Sequence, residues 1–175
     1  MDKDLRGVLK LYDSGVTDKG NKYVMIASAA YPERIQLFCE LFETHKNFPG
    51  SRDGRFNVAL DAAIFANNEY VIKIILTHIN PGALITGNCY KFTSPEQRKN
   101  YESWLLESMK ELSTETLVLC LMNLSISRTH ELIKVLKTRK AMGYAYEQVT
   151  PGACEFINEL IASHPDTPGD EQMLW

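Results

Sequence analysis

No CxxC or other close cysteine pair occurs in this chain: Cys39, Cys89, Cys120 and Cys154 are scattered along its whole length. That scatter excludes a disulfide-dense small scaffold and a paired-ligand zinc site, and it favours reduced, buried thiols in a cytosolic compartment. Glycine and proline are also sparse, 10 and 7 among 175 residues, which sets aside collagenous and low-complexity chains. Neither charge sign prevails. With 19 basic against 22 acidic residues the formal charge is −3, leaving no global field to draw the chain to nucleic acid or to anionic lipid. Long hydrophobic runs are missing too. Leu117-Val118-Leu119-Cys120-Leu121-Met122 is about a third of the roughly 20 residues a membrane span needs. The opening Met1-Asp2-Lys3-Asp4-Leu5-Arg6 carries charge where a secretory signal would carry apolar residues. The expectation is a cytoplasmic protein that binds neither nucleic acid nor membrane.

What the chain does have is helical periodicity, with hardly any period-2 alternation, so an all-α fold is predicted. Ser94-Pro95-Glu96-Gln97 combines an N-cap hydroxyl, a first-turn proline and a capping-box partner. Behind it Tyr101, Trp104, Leu105, Met109 and Leu112 form an apolar stripe, opposite Lys99, Glu102, Glu107, Lys110 and Glu111. Thr150-Pro151 announces a last helix with Phe156, Ile157, Leu160 and Ile161 on one face, ending near His164-Pro165. Leu5, Val8, Leu9 and Tyr12 mark a first one.

Internal repetition is the strongest organisational signal. Ala29-Ala30, Leu41-Phe42 and Thr44-His45 recur, at one constant offset of 33, as Ala62-Ala63, Ile74-Ile75 and Thr77-His78. Val71-Ile72, Ile74-Ile75 and Thr77 recur at a longer offset of 61 as Leu132-Ile133, Val135-Leu136 and Thr138. The excess over one period is about the length of the Ser94 helix and its flanks, which suits one inserted helix. The prediction is a single domain over 1–164. Helix pairs run 23–30 with 33–45, 57–66 with 69–79 and 115–126 with 129–139, a helix over 95–112 is inserted, and 165–175 is a tail. Leu60, Ala63, Val71, Ile74, Ile75, Leu121, Leu132, Val135 and Leu136 are the expected core.

The segment Asp53-Gly54-Arg55-Phe56-Asn57-Val58-Ala59-Leu60-Asp61-Ala62-Ala63-Ile64-Phe65-Ala66-Asn67-Asn68-Glu69-Tyr70-Val71-Ile72-Lys73-Ile74-Ile75-Leu76 resembles an ankyrin repeat: a turn, a short helix with Leu60 and paired alanines, a tight turn, then a helix of I-V-x-x-L-L type. The match is good over 53–78, weaker over 20–45 and faint over 114–139. It also departs from the family. Val58-Ala59-Leu60-Asp61 replaces T-P-L-H, Asn67 replaces the glycine after the first helix, and Ile79-Asn80-Pro81-Gly82 lacks the glycine after the second. Asn67 can still adopt the left-handed backbone of such a turn. The resemblance implies a short, degenerate, ankyrin-like solenoid of stacked antiparallel hairpins, capped by the terminal helices. Small residues, Ala27 to Ala30 and Ala59, Ala62, Ala63 and Ala66, would let its first helices approach closely. It also implies a protein partner on the concave face, met by Arg52, Asp53, Arg55 and Phe56 of the loop and by Asp61, Phe65 and Asn67 of the first helix. Arg55 and Phe56 are the expected anchors. Alternatively Phe56 tucks against the stack.

Catalytic chemistry has few candidates. His45 and His78 fall at helix ends, where a cation suits the dipole, and no phosphate-binding loop occurs. Cys89, in Thr86-Gly87-Asn88-Cys89-Tyr90, is the one cysteine expected outside a helix; as a nucleophile it would make the chain a cysteine-dependent hydrolase or transferase, otherwise it is a loop thiol. No metal or cofactor is expected. Arg128, Lys134, Lys137, Arg139 and Lys140 give one helix a basic face, either solvated or the rim of an acidic partner's site. Met173-Leu174-Trp175 ends an acidic tail that either plugs the last helix or serves as a peptide motif. The leading expectation is a non-enzymatic protein-binding module. Its irregular repeats suit a pathogen or viral protein that holds a host factor, in which case it works in the host cytosol; a regulatory domain of a larger protein is the other setting.

Overall fold

Asn21, Ser94 and Ser113 each accept a hydrogen bond from a backbone N–H two or three residues on, at 2.9, 3.2 and 3.3 Å, and each opens a helix. The computed structural model describes residues 4–46, 54–78, 94–124, 129–141 and 153–163. In chain order the helices are α1 (Leu5–Asp13), α2 (Lys22–Ala30), α3 (Ile35–His45, entered through a 3-10 turn at Pro32–Arg34), α4 (Arg55–Phe65), α5 (Glu69–His78), α6 (Pro95–Lys110), α7 (Thr114–Asn123), α8 (Thr129–Ala141) and α9 (Ala153–Ser163). Among the described residues there is no strand, and no helix is long and apolar enough to cross a membrane. The protein is all-α. Arg52, Asp53, Cys89 and the tail lie outside the described residues.

Small residues govern the tightest packing. Ala27, Ser28, Ala29, Ala59, Ala62 and Ala63 have no solvent exposure, and α2 lies against α4 more extensively than any other two helices meet. Without bulky side chains between them the two backbones approach closely, as expected. Lys22 and Arg55, which open these helices, stand one period of the sequence repeat apart. Larger side chains fill the other sides: Met25, Phe38, Leu41 and Phe42 of the first pair, Leu60, Ile64, Ile72 and Ile75 of the second, and Met109, Leu112, Leu117 and Leu132 beyond. α1 caps the stack by packing on α2, and the Arg34 guanidinium ties its end by pairing with Asp13.

Beyond α5 the arrangement differs from the expected one. α6 is no insertion: it packs directly on α4, and the pairings Asp61 with Tyr101 and Phe65 with Trp104 run in the same direction along both chains, so the two helices are parallel. α7 lies beside α5, again parallel, with Glu69 accepting from the Ser113 N–H and Lys73 bridging to Glu115 at 3.1 Å. Two rows result, α2–α4–α6–α8 and α5–α7–α9. α7 also meets α8, its expected partner, while lying between α5 and α9 in its own row. The longer sequence offset matched two buried helix faces of similar composition that belong to different rows, α5 and α8. Of the expected core residues, Leu60, Ala63, Val71, Ile75, Leu121, Leu132 and Leu136 are buried, while Ile74 and Val135 are half-buried at its margin.

Candidate functional site

The turn between α4 and α5 positions the most distinctive surface of the described structure. Asn67 takes φ +53°, the left-handed conformation anticipated for it, and reverses the chain within a tight turn. Beside it the buried Asn68 side chain donates to the Ala29 carbonyl at the end of α2, at 2.9 Å, fastening the turn to the neighbouring pair. Phe65, the last residue of α4, is held against the underside of α6. Its ring stacks on Trp104 with centroids 3.7 Å apart and planes 19° from parallel, and it meets Tyr101 edge-on at 5.7 Å. Tyr101 is held in turn by donating its hydroxyl proton to the wholly buried Asp61 carboxylate.

The outcome is an aromatic ledge with a fixed base and an open top. Trp104, stacked on Phe65, remains 44% exposed. Stacking and the Tyr101–Asp61 bond restrict Trp104 before any partner arrives, which lowers the entropy lost on binding.

The residues expected to meet a partner divide sharply. Phe56 is not a loop anchor: Gly54, at φ +71°, turns the chain into α4 earlier than expected, and Phe56 packs edge-on against Phe42 at 5.7 Å with 9% exposure. The alternative reading, an aromatic tucked against the stack, is the correct one. Asp61 is likewise unavailable, since α6 covers it. Arg55 is half-buried, its guanidinium 3.5 Å from the Gly20 carbonyl. Phe65 is half-buried, with the Trp104 ring stacked on it, whereas Asn67 is exposed. Trp104 was read as one member of a buried stripe. The signal that marks it is a tryptophan one helical turn after Tyr101 in a stripe otherwise made of Leu and Met, too wide to fit under a helix that packs on small residues.

The described thiols are poorly suited to attack a substrate. Burial, with a contribution from Glu69, pushes the Cys120 thiol up to about 12, and burial with Glu43 raises Cys39 above its ordinary value. No group of three or more His, Cys, Asp or Glu among the described residues could hold a metal ion. An open groove of about 700 Å³ runs along α8, lined by Lys110, His130, Glu131, Lys134, Val135, Thr138 and Arg139.

No protein-family model matches the chain, and neither a curated protein nor a solved structure matches it. The functional reading therefore stands on the site itself.

Proposed function

We propose that this chain is a non-enzymatic protein-binding module, an irregular ankyrin-like stack that holds its partner at the ledge formed by Trp104, Tyr101 and Phe65 beside the Asn67 turn. The observation that carries the reading is Trp104: a tryptophan stacked on a rigid base yet nearly half exposed. Exposed tryptophan and tyrosine on a fixed backbone are the usual energetic anchors of protein interfaces. The ankyrin-like reading draws support from the close, small-residue contact of α2 with α4 and from the left-handed Asn67. Its partner surface moves from the first loop, where Phe56 is buried, to the edge built by α4 and α6. The cytosol is the compartment that suits the free thiols of Cys39 and Cys120, and the host cytosol if the chain comes from a pathogen.

The test is quantitative capture from lysate with the wild-type chain and Trp104→Ala. A partner retained by wild type and lost by more than tenfold with the variant, at unchanged thermal stability, supports the reading. Equal retention removes the ledge from it.

A further inference from the structure

We infer that the aromatic ledge on α6 takes a proline-rich segment of the partner, held as an extended polyproline II helix. The inference rests on the reading of the ledge as the partner surface and names the chemistry of what lies on it.

Three rings set its shape. The Trp104 ring lies on Phe65 with centroids 3.7 Å apart, while Tyr101, one turn earlier on α6, stands at 81° to Trp104 with centroids 6.4 Å apart and at 79° to Phe65 at 5.7 Å. Tyr101 and Trp104 thus present two walls nearly at right angles, and Trp104 is 44% exposed. Both walls are fixed from behind, Trp104 by Phe65 and Tyr101 by the proton it donates to Asp61. A proline ring is rigid, neutral and apolar, and proline-rich segments dock on aromatic surfaces of this kind.

Hydrogen bonding and scale narrow the occupant. The Trp104 carbonyl accepts from the Ser108 hydroxyl at 3.1 Å, but its indole N–H, a donor only, has no acceptor among the described residues. A polyproline helix is the complement: its carbonyls have no partner within their own chain, and its prolines have no N–H. At a rise of about 3.1 Å per residue, two successive prolines cover the 6.4 Å between the Tyr101 and Trp104 centroids. So short a ledge favours a segment that is already extended, because ordering a flexible one costs about 1–2 kcal/mol per residue. An amphipathic helix would need anchors over two turns in a groove, and Tyr101 to Trp104 spans one.

The experiment titrates the full chain into fluorescein-labelled decaproline, with a labelled Gly-Ser decamer as control, followed by anisotropy at low and at physiological salt and set beside capture from lysate. Saturable binding of decaproline and not of the control is expected, little changed by salt because no charges pair. Trp104→Ala should weaken it about tenfold or more, and Trp104→Phe, which keeps a ring on Phe65 and removes the N–H, about threefold or more. Trp104→Phe decides the matter should Trp104→Ala disturb the α4–α6 contact. The inference fails if decaproline does not saturate, if Trp104→Phe binds as wild type, or if a single-stranded oligonucleotide binds more tightly than decaproline. Trp104-dependent capture from lysate without decaproline binding overturns the proline-rich occupant and leaves the protein-binding reading standing; capture indifferent to Trp104 overturns the reading and the inference with it.

Discussion

Asp61 shows what a single residue contributes here. A carboxylate without solvent exposure is costly unless hydrogen-bonded, and the Tyr101 hydroxyl supplies one bond across the α4–α6 contact. Tyr101→Phe keeps the ring and removes the proton, so it should cost about 1–3 kcal/mol in chemical denaturation; a change near zero would show that α6 does not rest on Asp61. Ile75, with no exposure at the heart of the second pair, should cost about 2–5 kcal/mol when cut to alanine. Cys120 should resist alkylation in the native protein at neutral pH and label fully once unfolded, because its thiol ionises only near about 12. The sequence disclosed the burial of Leu60, Ala63 and Ile75 through their place in the shorter repeat. It did not disclose that Asp61 is buried, because Tyr101, which covers it, lies far along the chain in a helix that carries no copy of the repeat.

Among the elements, α2 against α4 is the contact most dependent on side-chain size. Ala63→Leu should wedge these helices apart at a cost of about 1–3 kcal/mol or more, measurable by thermal denaturation. α1 is held differently. The Arg34 hydrogen bond depresses the Asp13 carboxyl below its ordinary value, opposed by desolvation and aided to a lesser degree by the Arg34 charge. A depressed acid stabilises the folded state fully above its unfolded value, and that contribution is lost as pH falls through the lower folded value. Fraying of α1 should therefore begin below about pH 4, visible as loss of protection in its amides, and Asp13→Asn should remove the pH dependence. The start of α6 and the turn after α4 were legible because their signals are local: Ser94 caps and Asn67 reverses the chain, whereas the caps at Asn21 and Ser113 were not read. Helix partnership was not, because the Leu-Ile and Val-Leu spacing in α8 is what any half-buried helix shows, so its likeness to α5 carries no information about rows.

For the molecule as a whole, the two rows bear on where the proposed partner surface lies. α6 covers α4 on one side and is itself met by α8, yet Trp104 on α6 stays 44% exposed. The aromatic and arginine residues near Gly54 looked like a binding loop in the sequence. Packing across the stack buries Phe56 there, and α6 raises a different aromatic at the same helix's far end.

The most direct test of this account is hydrogen exchange of the chain, free and bound to the partner captured through the ledge. The account predicts slowed exchange in the amides around 65–70 and 100–107. Slowing confined to α1, α3 or α9, with none at the α4–α6 edge, would contradict it.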